Sequence, residues 1–206
     1  MALPGKKIYL ASRSPRRREL LGQIGVSFEL LLLREDPARG TDVDESVRPG
    51  ESPHDYVMRV CHAKAEAGSL HVQQRRLPQL PVLAADTAVV LGGRIMGKPA
   101  NREEAMEMLS ALSGKRHEVL TAVAVAGMGR IEQKLTVSVV QFCALTEPSI
   151  RRYVMTGEPL DKAGAYAIQG HAAAFIEKIE GSYSGVMGLP LYETAELLAS
   201  FGIEVL

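Results

Sequence analysis

The chain has 206 residues, of which 46% are hydrophobic and 23% charged, and its 24 Lys and Arg balance 24 Asp and Glu at a formal net charge of +0. These proportions describe an ordinary soluble globular chain, large enough to bury roughly 70% of its unfolded surface, and they exclude a general nucleic-acid coat, so any anion site must be local. Two thiols, Cys61 and Cys143, lie far apart in no metal-ligand spacing, which favours a reducing cytosol. No apolar run reaches the length of a signal-peptide core or a membrane span, and Lys6 and Lys7 precede only a short one. The expectation is one cytoplasmic domain of two lobes, with no nucleic-acid or membrane partner.

In chain order, residues 8–11 read as a buried strand that breaks into a loop and opens a basic helix. Ser14 fits the N-cap, Pro15 the first helical position, and Gly25 the stop. Arg13, Arg16, Arg17 and Arg18 crowd the positive end of that helix, where they cost stability unless an anion is bound. A solvated basic turn remains the alternative. A second strand at 27–33 completes a β-α-β unit, which favours parallel neighbours. Residues 34–51 form a long polar loop containing Pro37, Asp42, Asp44 and Glu45. Ser52 caps a helix over 53–70 with Tyr56, Val60, Ala63 and Ala67 as its inward stripe; Lys64 shares these turns and, taken by itself, reads as a surface lysine.

Residues 81–95 read as a strand, a Gly92-Gly93 hairpin turn and a short return. Asp86 sits inside this apolar strand. An ionised carboxylate there is expensive, so it must be paired, metal-bound or at an open strand end. A helix over 102–112 stops at Gly114, and two alternating strands at 117–126 and 131–144 make a long ribbon around Gly127-Met128-Gly129. Thr146 caps a helix to about Met155. In the segment 158–170, Asp161 and Lys162 precede small residues and two glycines, a pattern of backbone drawn close to something, with a surface turn as the alternative. A strand at 175–179, a loop at 181–188, a helix at 189–201 with Pro190 in its first turn, and a closing strand at 203–206 end the chain.

There is no phosphate loop of the GxxxxGK[ST] type, no GxGxxG turn, no HExxH helix and no GxSxG elbow. What remains is a scattered set of cations, Arg13, Arg16, Arg17, Lys64, Lys98 and Lys162, with the carboxylates Glu45, Asp86 and Asp161. That combination suits a nucleoside polyphosphate with Mg²⁺ or Mn²⁺: cations hold phosphates, and oxygen ligands share the metal with them.

Four motifs, SRSPRRRELL, LAADT followed by GKP, LDKAGAYAIQG and GSYSGVMGLPL, span nearly the whole chain in one order. Together they resemble the Maf family of nucleoside triphosphate pyrophosphatases. The resemblance implies a two-lobed α/β fold of the Maf/ITPase kind, with a long mixed twisted sheet flanked by helices and a cleft between the lobes. It also implies hydrolysis of a nucleoside triphosphate to monophosphate and pyrophosphate with a divalent metal, and it is compatible with a homodimer. By motif it assigns Ser12, Arg16 and Arg17 to a phosphate loop, Glu45 to an acidic loop and metal, Lys64 to the second helix, and Asp86 to the catalytic strand. Lys98, Asp161, Lys162 and Gln169 complete the pocket; Arg13 stands where similar chains often carry a small residue.

On this reading water attacks the α-phosphorus, and Asp86 serves as general base or as metal ligand, two roles the sequence leaves open. Replacing Lys64, Lys98 or Lys162 singly by Ala should cost roughly a hundredfold in rate with little effect on folding. Gln169 offers one donor and one acceptor side by side, matching the N3–H and O4 of thymine or uracil. With Arg16 and Thr87 it resembles the subgroup acting on dTTP and UTP. The rivals are a non-catalytic nucleotide sensor in cell-division control and a pyrophosphatase for inosine, xanthosine or 7-methylguanosine triphosphate.

Overall fold

The protein is described from a computed structural model that covers residues 7–34 and 40–205; Lys6, Pro37 with the rest of 35–39, and Leu206 lie outside the described residues. Strand β1 (Lys7–Leu10), helix α1 (Pro15–Gln23) and strand β2 (Ser27–Leu30) form the expected β-α-β unit, and β1 and β2 pair in parallel. The second strand is shorter than its apolar run: it ends at Leu30, the Leu31 N–H makes a last bond to the Leu10 carbonyl at 3.0 Å, and Leu31 and Leu33 are buried beyond it. Helix α2 (Pro53–Gln74) is capped as expected, with the Ser52 hydroxyl accepting from the Asp55 N–H at 3.1 Å. Strands β3 (Val82–Leu91) and β4 (Arg94–Met96) follow, joined by Gly92 and Gly93, both at positive φ. After helix α3 (Arg102–Leu112), strands β5 (Arg116–Gly127) and β6 (Arg130–Phe142) form the long ribbon, turning through Met128 and Gly129 at φ 49 and 73. Helix α4 (Glu147–Met155), strand β7 (Ile176–Glu180), helix α5 (Tyr183–Met187) and helix α6 (Leu191–Ser200) complete the chain.

One mixed sheet of seven strands results, in the order β2-β1-β3-β5-β6-β7, with β4 paired to the end of β3. Period-two alternation along β3 assigns its side chains to opposite faces. Val82, Ala84, Ala88 and Val90 pack with Val57, Cys61 and Ala65 of α2. Leu83 and Ala85 pack instead with Leu20 and Leu21 of α1 and Leu197 and Leu198 of α6. A third cluster joins α3 and α4 to the sheet through Leu109, Leu112, Phe142 and Tyr153. No helix among the described residues is long and apolar enough to cross a membrane.

Three expectations need correction. The inward stripe of α2 is Val57, Val60, Cys61, Ala65, Gly68 and Val72, rotated from the Tyr56-Val60-Ala63-Ala67 reading. The reason is packing distance: a Cβ on Gly68 would lie 2.7 Å from Val82 Cγ1, so this helix approaches β3 along its smallest side chains. Residues 181–188 are not all loop, since Ser182 accepts from the Gly185 N–H at 3.0 Å and caps the short α5. Residues 203–205 form no strand; Ile203 is buried and its N–H bonds the Leu198 carbonyl, closing the end of α6 instead.

His117 gives the fold a pH dependence. It is 3% exposed on β5, stacked edge-on to Phe142 and Tyr166 and 2.9 Å from the Tyr166 hydroxyl. Burial pushes its pKa down from 6.5 to about 4. The unfolded chain therefore binds the extra proton first. Stability is present above about pH 6.5 and lost as pH falls toward 4, by about 3 kcal/mol in all. Urea unfolding at pH 7 and pH 5 should show about 2 kcal/mol of this loss in the wild type and a smaller one in His117→Asn.

Candidate active site

The site begins as a gap in the sheet. Strand β1 pairs with β3 only at Val82 and Leu83, and β4 pairs with it only from Val89 to Leu91. Residues 84–88 therefore have β5 on one side and, among the described residues, no strand on the other. Asp86 lies in this gap, which resolves the cost of a carboxylate in an apolar strand. It is 7% exposed and paired, its Oδ1 lying 2.7 Å from Lys64 Nζ. Lys64 also reaches Glu45 Oε1 at 3.0 Å, so one ammonium joins two carboxylates from different segments. Burial works against the charge on Lys64, but Asp86 and Glu45 outweigh it and hold its pKa above the usual lysine range. Lys64 is thus not the surface lysine that its helix position also allowed. Its removal would leave Asp86 unpaired, contrary to the expectation that folding is indifferent to it.

A cleft of about 790 Å³ opens over this gap. Ser12, Arg16, Arg17, Glu45, Lys64, Asp86, Thr87, Lys98, Asp161, Lys162 and Gln169 all line it, although they come from segments spread over most of the chain. Arg13 lines it as well, while its Nη2 donates to the Leu33 carbonyl at 3.0 Å.

The arginines divide their work. Arg17 turns inward: Nε donates to the Gly188 carbonyl at 2.7 Å, Nη1 to Ser12 Oγ at 3.2 Å and Nη2 to Thr87 Oγ1 at 3.2 Å. Burial lowers its pKa from the usual arginine value, with the negative charge of Asp86 opposing that shift. These bonds occupy three of its five N–H donors. Thr87 thus bonds Arg17, while Arg16 and Gln169, the other residues expected to set specificity, line the same cleft. Ser14 occupies the N-cap position of α1 but its side chain makes no capping bond. Instead Ser12 Oγ accepts from the Ser14 N–H at 3.3 Å, shaping the loop before the helix.

The acidic loop is held by residues that sequence reasoning passed over. Arg59 donates to the carbonyls of Asp44 at 3.0 Å and Ser46 at 2.8 Å, while the Tyr56 hydroxyl donates to that of Glu45 at 3.1 Å. Glu51 pairs with Arg59 at 2.6 and 2.8 Å, and that bond holds its pKa down at about 2. Three successive carbonyls are therefore fixed from α2, and Glu45 between them is directed at Lys64. The only sequence hint was an Arg three residues after a Tyr on one helix face.

The segment 158–170 is not a surface turn. Ala165, Tyr166, Ala167 and Ile168 are buried, the Gly164 N–H bonds the Gly97 carbonyl at 3.0 Å, and Gly164 packs against Val89. That bond brings the strip containing Lys98, exposed at the rim, beside Asp161 and Lys162. Asp161 and Lys162 form an ion pair, and Lys162 Nζ also donates to the Glu158 carbonyl at 3.2 Å. Against the opposing effect of desolvation, the Lys162 bond and the charges of Lys162 and Arg16 hold the Asp161 pKa below its usual value. Cys61, behind Asp86, has its thiol pushed up to about 12 by burial and by the Asp86 charge, so it is chemically inert.

Among the described residues no three His, Cys, Asp or Glu side chains gather in a way that could hold a metal alone. The protein offers a pair, Glu45 and Asp86, whose oxygens share Lys64, beside a cleft with room for further ligands. Chemically, the cleft sets the Glu45–Asp86 pair and Asp161 against several cations, an arrangement for a polyanion that also carries a counter-cation.

Comparison with known proteins agrees with the motifs. The family model described as "Maf-like protein" matches residues 7–201. The chain is similar to the dTTP/UTP pyrophosphatase of Nitrosomonas europaea, at 57% identity over 98% of this chain and 97% of that one. It is also similar to that of Aromatoleum aromaticum, at 56% identity over 95% and 96%. Among solved structures, the Staphylococcus aureus Ham1 protein aligns with 69% of this chain and 73% of its own at 18% identity and a TM-score of 0.43. With one family model spanning nearly its full length and relatives above half identity, this chain belongs to the Maf-like protein family.

Proposed function

We propose that this chain hydrolyses dTTP and UTP to the monophosphate and pyrophosphate. The observation that carries the reading is the line Glu45–Lys64–Asp86 at the gap in the sheet, facing a cleft ringed by Arg16, Lys98 and Lys162. A site built only to bind nucleotide gains nothing from carboxylates beside phosphates, whereas hydrolysis needs them. Similarity to proteins named dTTP/UTP pyrophosphatase points the same way.

Glu45 and Asp86 would hold a divalent cation, Mg²⁺ or Mn²⁺, because two carboxylates with positions left for phosphate oxygens and water suit those ions. When bound, such an ion neutralises charge on the phosphate oxygens. The chain's own residues supply the rest. Asp86 accepts the proton of the water that attacks the α-phosphorus. Lys64 keeps that carboxylate oriented and shares its ammonium with the polyphosphate, while Arg16, Lys98 and Lys162 stabilise the departing pyrophosphate. Ser12 and Thr87 fix Arg17, which retains two N–H groups for an oxygen in the cleft.

Gln169 would read the base. Its amide complements the donor and acceptor edge of thymine or uracil, and a mismatched edge leaves groups unpaired at roughly 1 to 3 kcal/mol each. Pyrophosphate and monophosphate release should therefore be fastest with dTTP and UTP in a panel that includes CTP, purine triphosphates and 7-methyl-GTP, tested with Mg²⁺ and Mn²⁺. Gln169→Glu should narrow that preference by about tenfold. Faster hydrolysis of 7-methyl-GTP than dTTP would reject the base assignment, and no release from any nucleotide would favour a sensor.

A further inference from the structure

We propose that Glu158 is a positioning residue for base selection, bracing the turn that presents Gln169 to the cleft; the inference rests on the pyrimidine reading given above. Gln169 is exposed, and no side-chain hydrogen bond holds it among the described residues. The backbone on either side is held instead. Two residues after Gln169, the His171 N–H and ring Nδ1 both face Glu158 Oε2, at 3.1 and 2.9 Å. Two residues before it, the Ala167 N–H donates to the Tyr153 hydroxyl at 3.3 Å, and that hydroxyl donates to Glu158 Oε1 at 2.8 Å. The Gly170 N–H closes the turn onto the Ala167 carbonyl at 3.0 Å.

One carboxylate thus anchors both ends of a five-residue turn, 167–171, with the base-reading amide between them. Gly170 belongs to the same device. Its φ of −104 suits any residue, so the requirement is space, since a Cβ there would collide with both carboxylate oxygens of Glu158. Burial opposes the charge on Glu158, yet the bonds from His171 and Tyr153 hold its pKa below the ordinary glutamate value. The carboxylate stays ionised and accepting at neutral pH. Glu158 does not line the cleft, so its influence on substrate passes through the turn.

The test compares Glu158→Gln, Tyr153→Phe, Gln169→Ala and the double variant Glu158→Gln/Gln169→Ala, measuring kcat and KM for dTTP, UTP and CTP with Mg²⁺, and thermal unfolding. Glu158→Gln should reduce the dTTP-over-CTP ratio of kcat/KM by about tenfold, chiefly through KM for dTTP, with kcat changed by about threefold or less. Tyr153→Phe keeps the ring but removes the hydroxyl shared by Glu158 and Ala167, so it should shift the ratio the same way. In the Gln169→Ala background, Glu158→Gln should produce no further loss of selectivity. An equal fall on all three nucleotides with the ratio preserved would overturn the inference and leave Glu158 as a stability residue, as would additive losses in the double variant. If the wild type shows no preference for dTTP and UTP over CTP, the pyrimidine reading itself fails and this inference falls with it.

Discussion

Asp86→Asn should lower turnover of dTTP by about a thousandfold or more while leaving the protein folded and able to bind nucleotide. The amide matches the carboxylate in shape, so the β3 pairing of Asp86 with Ala122 and the packing of Ala84 and Ala88 remain. Lys64 keeps its second partner, Glu45, and is not stranded. What disappears is the proton acceptor and one of two negative charges at the gap. Steady-state kinetics together with calorimetric titration of a non-hydrolysable dTTP analogue separate the two effects. Near-normal turnover would remove Asp86 from the chemistry.

Lys64→Ala and Lys98→Ala should both impair catalysis by about a hundredfold, yet differ in stability. The Lys64 side chain is 14% exposed and offsets the charge of an Asp86 side chain that is 10% exposed. Its loss leaves a buried carboxylate without a partner, at a cost of about 3 kcal/mol, or a fall in Tm of about 6 to 12 °C for a chain of this size. Lys98 stands in solvent at the rim, and its loss should move Tm by about 1 °C or less. Scanning calorimetry of the two variants beside the wild type makes the comparison. Equal thermal stability would mean that the Lys64–Asp86 pair contributes little to folding.

Much of the architecture was legible where local chemistry acts alone. Helix α3 has the expected bounds because Asn101 caps Glu104 and Gly114 takes a positive φ beyond its end. The long ribbon followed from alternation, and Asp86 stood out as a carboxylate among Ala and Val, a placement that needs a partner. Phase was harder on α2, where the face against β3 carries Cys61, Ala65 and Gly68 while the bulkier Tyr56, Met58 and Leu70 lie off it, so size does not mark the buried side. The short α5 was hidden between Gly181 and Gly188, residues that signal loops more strongly than Ser182 signals a cap. The braces of the site were not legible. Arg59 and Glu158 make their bonds to carbonyls or N–H groups from 13 to 15 residues away, and nothing in their types announces such a partner. Arg17 could not be told from Arg16 because adjacent helical residues point about a quarter-turn apart, and only packing decides which one turns inward.

On the proposed mechanism water, assisted by Asp86, attacks the α-phosphorus of a pyrimidine nucleoside triphosphate. The most direct measurement is hydrolysis of dTTP with Mg²⁺ in heavy-oxygen water, followed by mass spectrometry of both products. Attack at that phosphorus places one labelled oxygen in the dTMP and none in the pyrophosphate. Label in pyrophosphate or orthophosphate, or no hydrolysis at all, would contradict it.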